Sequence, residues 1–249
     1  MNIIVYGTKF KDVLQLNNLN DDPIYLIMQF FCHKKKTRYN EIKECLQKNV
    51  RLGLFSKIIL LNEKIYTNEE LGLTLQEMNS VQQVNIIHRM KYSDVFRYVA
   101  KTNLHGYIVL SNSDIFFDKT ILNVRKSCLT QKKSIYSLLR FEYKRNKKLE
   151  DLEVFRTNKH PIPGSQDVWI YHTKYTPSPL LTHHCDFCLG KPGCDNTIAY
   201  LFHIHGYDCI NEPFNVRTYH NHASYIRDID YKKDTIQESH YLFPLPIIK

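Results

Sequence analysis

Asn112 and Asp114 stand two residues apart at the end of an apolar run, YIVLSNSD, residues 107–114. On an extended chain the side chains at i and i+2 point to one side. An amide and a carboxylate so placed suit a hard divalent cation, Mg2+ or Mn2+, which takes oxygen ligands. Such an ion can bridge the phosphates of a nucleotide diphosphate and stabilise it as a leaving group. The competing reading is an Asx turn that Asp114 caps. A turn should interrupt the apolar pattern, yet Ile115-Phe116-Phe117 follows at once and ends in a second acid, Asp118.

Other residues have the types and spacing for chemistry. Asp195 lies in PGCDN (192–196), which opens a helical pattern. Free backbone N–H groups and the positive end of the helix dipole are expected to hold that carboxylate ionised, as a base or orienting group. In RTYHNH (217–222), His220 and His222 fall on one side of an extended segment, where neutral imidazoles can bind a metal. Arg217 in the same segment could face a phosphate. Asp167, beside the single tryptophan Trp169, could hydrogen-bond a sugar ring that the indole stacks. His183, His184, Cys185, Cys188 and Cys194 contain a C-x2-C pair and would supply zinc ligands, although no second pair completes the pattern.

These residues need a scaffold. IYLIMQFFC (24–32), SKIILLNE (56–63), QQVNIIHR (82–89) and the run from Tyr107 read as buried strands. RYNEIKECLQKNV (38–50) and YSDVFRYVAKT (92–102) place apolar residues at helical spacing between them. The order β-α-β-β-α-β predicts an α/β sheet with right-handed crossovers and a ligand site beyond the carboxyl ends of its strands, where residues 111–114 lie. Beyond residue 118 the pattern predicts a short helix at TILNVRKSC, strands over 134–143 and 165–173, and loops at 144–149 and 158–164. It then predicts an irregular stretch over 177–193, a helix over 194–206 and an extended segment over 214–222.

The chain has 249 residues and no internal repeat, which fits one domain of 1–249. Its first part, 1–130, is expected to bind nucleotide, and 131–249 the acceptor. The net charge of +9 favours phosphate-bearing partners. The basic clusters are short and form no stripe, so no stable nucleic-acid partner is expected. No run approaches the ~18 apolar residues of a membrane span. The first residues lack a signal-peptide pattern, so a soluble, cytoplasmic protein is expected. The seven cysteines are odd in number and sit in apolar segments, which predicts reduced thiols.

Taken in order, NSDIFFD, SQDVWIY, GCDNTIAY and YHNH resemble a set of NSDI-motif glycosyltransferase-like proteins of large DNA viruses and bacteria, over roughly residues 24–222. The resemblance implies a single-domain GT-A fold, a Rossmann-like, mostly parallel sheet flanked by helices. It implies transfer of a sugar from a nucleotide-diphosphate sugar to a glycan, protein or small-molecule acceptor, with Mn2+ or Mg2+. Carried onto this chain, Asp114 is the metal and diphosphate ligand with Asn112 beside it. His220, or alternatively His222, completes the metal shell. Asp195 and Asp167 stand at the catalytic positions. Arg89, Tyr92, Asp94 and Arg217 would lie near the nucleotide. A viral origin would add host cytoplasm or virion as locations. The usual first acid of the DxD pair is an asparagine here. Asp114→Ala is expected to abolish metal dependence and spare the fold. Two rival readings are a non-catalytic, zinc-stapled basic module for nucleic acid and a sugar-phosphate nucleotidyltransferase.

Overall fold

The apolar runs form one seven-stranded sheet in the computed structural model, which describes residues 2–6, 21–155, 165–236 and 240–246. The loop expected over 158–164 lies outside them. The elements in chain order are β1 (Asn2–Tyr6), β2 (Ile24–Met28), α1 (Lys36–Leu52), β3 (Lys57–Asn62), α2 (Asn68–Leu71) and β4 (Val81–Asn85). Next come α3 (Tyr92–Thr102), β5 (Tyr107–Ser111), β6 (Ile115–Phe117), β7 (Ser134–Leu139), β8 (Phe141–Glu142) and β9 (Gln166–His172). The chain continues with α4 (Pro179–His184), α5 (Cys194–Ile204), β10 (Asp208–Ile210), β11 (Thr218–His220), α6 (Tyr231–Asp234) and β12 (His240–Pro244).

The main sheet runs β10-β7-β9-β5-β2-β3-β4. Only β9 is antiparallel to its neighbours, so the sheet is mostly parallel, as the strand–helix alternation predicts. Strands from both halves of the chain share it. Every residue of β5 is buried because both faces are covered. On one face Leu26, Leu60 and Val109 pack with Ile42, Leu46 and Val50 of α1. On the other, Ile27, Ile59, Leu110 and Trp169 pack with Val95, Phe96 and Val99 of α3 and with Ile198 and Phe202 of α5. Helix α1 ends at Gly53, whose left-handed backbone returns its N–H to the Val50 carbonyl.

The apolar run after Asp114 has a direct cause. Ile115–Phe117 is β6, which leaves the main sheet and pairs antiparallel with β11, with His220 opposite Ile115. β8 lies on the other side of β11. The strand expected over 134–143 therefore divides at Arg140: its first part joins the main sheet, its last two residues the small one. The segment 177–193 is less irregular than expected, because Ser178 caps α4 and Pro179 fits its first turn. The expected strand 82–89 stops at Asn85, where the Ile87 N–H bonds the Asn85 side chain and Ile87 turns to φ +59°. β1 pairs parallel with β12 in a separate two-stranded sheet.

No described helix is long and apolar enough to cross a membrane. At the start of β5, Gly106 has φ +131°, and a Cβ there would lie 2.2 Å from the Pro23 carbonyl oxygen. Gly106→Ala should cost at least about 2 kcal/mol from backbone strain and this clash. Gly53→Ala meets only open space and should cost about 1 kcal/mol. Paired thermal melts of the two variants check the order.

Candidate active site

The carboxyl ends of β2, β3 and β5 open into a cleft of about 530 Å3. β9 is antiparallel, so its first residues, Gln166 and Asp167, reach the same edge. The Asn112 N–H bonds the Asp167 carbonyl there at 3.1 Å. Loop 190–193 and the segment after β11 complete the walls.

Asp114 sits at the centre and is buried. Its Oδ2 accepts from Arg38 at 2.5 Å and lies 3.1 Å from His220 Nε2 and 3.7 Å from His222 Nδ1. Backbone pairing fixes the approach, because the Asn221 N–H bonds the Asp114 carbonyl at 2.9 Å. Burial would raise the Asp114 pKa, but His220 and Arg38 hold it well below the carboxylate range. Burial would lower His220, yet Asp114 and Glu142 bring it up to about 9. Burial and Arg38 lower His222 and favour its neutral form.

The two imidazoles are oriented for a metal. His220 donates Nδ1–H to Glu142 at 3.2 Å and Nε2–H to Asp114 at 3.1 Å, and a cation bound at Nε2 would replace that second proton while Glu142 kept the ring in place. His222 Nε2 donates to the Ile226 carbonyl at 2.9 Å, which leaves Nδ1 facing the same carboxylate. A ligand nitrogen whose ring partner is held by a carboxylate or carbonyl is the usual arrangement around a protein-bound metal. The three ligand atoms lie within 4.8 Å of one another. The charge balance agrees: the guanidiniums of Arg38 and Arg140 and the imidazolium of His220 face four carboxylates, Glu41, Asp114, Glu142 and Asp167. Asp114, His220 and His222 therefore fit a divalent cation.

A second group, Asp22, His105 and His172, lies at the opposite sheet edge. There the Lys174 N–H donates to His172 Nδ1, so Nε2 carries the ring proton towards Asp22 at 2.9 Å. That ring is committed to a hydrogen bond and offers no free lone pair.

Asn112 is not turned to the metal position. Its Nδ2 donates to Asp167 Oδ1 at 2.6 Å, and Arg140 holds Asp167 Oδ2 at 2.5 Å. An aspartate at 112 would set two carboxylates against each other, which accounts for the missing acid. Arg140 also bonds Glu142 at 2.8 Å. A chain of polar contacts thus runs Asn112–Asp167–Arg140–Glu142–His220–Asp114–Arg38. Asp195 also lines the cleft. Contrary to the helix-dipole expectation, burial and the nearby Asp167 raise its pKa well above the usual range. Gly193, rather than Asp195 or Asn196, occupies the N-cap.

Of the residues expected near a nucleotide, Arg89 lines the cleft and donates to the Leu189 carbonyl at 2.8 Å. The other three do not line it. Tyr92 is fully buried, edge-on to Trp169 at 5.0 Å. Asp94 caps α3 by accepting the Lys91 N–H. Arg217 lies over the Phe141 ring at 5.3 Å. Trp169 is core and has no face for a sugar. Cys185, Cys188 and Cys194 belong to neither of the metal-competent groups among the described residues, and Cys194 contacts Asp195. Asp114→Ala removes a buried partner of both Arg38 and His220, although Glu41 still pairs with Arg38, so it should lower stability by up to about 3 kcal/mol. Sequence reasoning missed Arg38, Arg140 and Glu142. The signal for Arg38 was available: with Glu41 it interrupts the apolar face that Ile42 and Cys45 continue.

By sequence, the chain matches no family model and no curated protein. By structure, it is similar to mannosyltransferase PcManGT from Pyrobaculum calidifontis, solved in complex with GDP-Man and Mn2+, at TM-score 0.50 and 12% identity. That match covers 80% of this chain and 56% of the mannosyltransferase, so the chain spans little more than half its length. Two further similar structures are 4-diphosphocytidyl-2C-methyl-D-erythritolsynthase from Anaerococcus prevotii DSM 20548 and the inositol-1-phosphate CTP transferase from T. maritima. The first has TM-score 0.42 and 14% identity, covering 78% of this chain and 88% of its own. The second has TM-score 0.46 and 10% identity, covering 86% and 96%. The mannosyltransferase match and the mostly parallel seven-stranded sheet flanked by helices give this chain a GT-A-like α/β fold.

Asn112→Asp, which restores the usual acid pair on paper, should lower stability at neutral pH by about 1–3 kcal/mol, because Asp167 Oδ1 loses its donor and meets a like charge while Arg140 still holds Oδ2. Urea unfolding of both proteins checks this.

Proposed function

We propose that this chain is a metal-dependent glycosyltransferase that uses a nucleotide-diphosphate sugar. The observation that carries the reading is the pair of imidazoles, each held through its other ring nitrogen, converging on a buried carboxylate at the ligand edge of a GT-A-like sheet. The mannosyltransferase of similar fold, solved with GDP-Man and Mn2+, agrees with it.

Asp114, His220 and His222 would hold the cation. Two imidazoles and one carboxylate suit Mn2+ better than Mg2+, which prefers oxygen ligands throughout. Bound there, the ion would offset the charge of the departing nucleoside diphosphate. Glu142 orients His220, and Arg38 keeps Asp114 ionised. Arg140 and Asn112 occupy both oxygens of Asp167, which makes Asp167 a positioning residue for this wall of the cleft. Asp195 lines the cleft, and in its deprotonated form it would accept the proton of the acceptor hydroxyl as the new glycosidic bond forms and the bond to the diphosphate breaks. The first part of the chain would bind the donor and the second the acceptor.

The test is release of nucleoside diphosphate from a panel of UDP- and GDP-sugars with Mn2+. Expected are turnover with at least one donor, loss with chelator, and a fall of about tenfold or more in His222→Ala, the scale of a lost metal interaction. Pyrophosphate release from a nucleoside triphosphate and a sugar phosphate would instead mark nucleotidyl transfer. The reading fails if no donor is consumed and no nucleotide changes the melting temperature, with or without Mn2+.

A further inference from the structure

The cleft extends beyond the metal position to the ends of β2 and β3, and there it holds two polar atoms with nothing to bond. Gln29 follows β2 directly and is 9% exposed. Its Oε1 accepts the Met90 N–H at 3.2 Å, which fixes the amide and leaves Nε2 as a donor. Glu63 follows β3 directly. Gln29 Nε2 and Glu63 Oε2 are both buried and find no partner among the described residues, not even each other. Both residues line the cleft.

Register puts them on one face. Met28 pairs with Leu60, so Gln29 falls level with Leu61, and Glu63 lies two residues further along the adjacent strand. On strand geometry their Cα atoms are roughly 8 Å apart, a separation one planar heterocycle can bridge. Phe31, half-buried, lines the cleft two residues beyond Gln29. A buried donor and a buried acceptor without partners are costly unless a ligand completes them.

We infer that Gln29 and Glu63 form a nucleobase subsite selective for guanine. The inference rests on the nucleotide-sugar reading of the cleft and names its base. The sheet order β9-β5-β2-β3 places Asp167 at one end, Asp114 in the middle and the Gln29–Glu63 pair at the other. A diphosphate at Asp114 with a sugar towards Asp195 leaves the base at Gln29 and Glu63. Guanine offers two adjacent donors, N1–H and the N2 amine, which match the two oxygens of one carboxylate. Its O6 accepts from the Gln29 amide. Uracil has one N–H flanked by two carbonyls, so a carboxylate there meets a repelling oxygen. Adenine and cytosine each present a single amine beside an acceptor. A site built on such groups discriminates because the wrong base leaves them unpaired.

Isothermal titration of the full chain with GDP, IDP, UDP and ADP in the presence of Mn2+ tests this. GDP should bind at least about tenfold tighter than UDP or ADP, the worth of one buried hydrogen bond. IDP, which lacks the N2 amine, should fall between. Glu63→Gln should erase the preference for GDP over IDP and raise UDP affinity, because the repelling charge is gone, and Gln29→Met should weaken GDP. Should Glu63→Gln fail to fold, the GDP-to-IDP ratio of the unaltered chain still decides. Binding of nucleoside diphosphates without a preference for GDP, or a preference that survives Glu63→Gln, overturns the guanine subsite and leaves the transferase reading standing. Binding of none of them overturns both.

Discussion

One carboxylate organises the molecule. Asp114 is buried just beyond the tip of the central strand, and helix α1, strand β11 and the segment after β11 are positioned with respect to it. Arg38 anchors the start of α1 to it, His220 anchors β11, and its own carbonyl pairs with Asn221. A buried charge is tolerated only when paired and hydrogen-bonded. The pairing groups come from helix, strand and loop, so satisfying this one charge fixes the geometry of all three.

The small sheet makes this possible. β6 follows Asp114 immediately, and its pairing with β11 brings the two histidines back across about 100 residues of chain to the same point. β8, on the other side of β11, supplies Glu142 to His220. The main sheet builds the floor, and the three-stranded sheet turns its end into a site. The segment beyond β11 is tied to α1 by the bonds from Ser224 to Glu41, so the wall that carries His222 is braced against the helix that carries Arg38.

Much of this was legible in the sequence. Long apolar runs have one stable use in a chain of this size, and the strand–helix alternation located the sheet and its ligand edge. Asp114, His220 and His222 stood out because a charge at a strand tip and imidazoles at i, i+2 have few structural uses. Asn112 was misread. Its partner is Asp167, 55 residues away on an antiparallel neighbour, and no local pattern announces that contact. Tyr92, Asp94 and Arg217 were misread because a periodicity gives the face of an element but not what covers it. Asp195 was misread because the helix-dipole argument is local, whereas burial and Asp167 act through tertiary placement. Gln29 and Glu63 look like ordinary polar strand ends until the structure shows that neither finds a partner.

The measurement that bears most directly on the central claim is pulsed electron paramagnetic resonance of the chain loaded with one Mn2+. It predicts nitrogen couplings from two directly bound imidazoles, each lost separately in His220→Ala and His222→Ala, and a phosphorus coupling when a nucleoside diphosphate is added. Mn2+ that binds without nitrogen coupling, or with couplings that survive both substitutions, would contradict the site at Asp114.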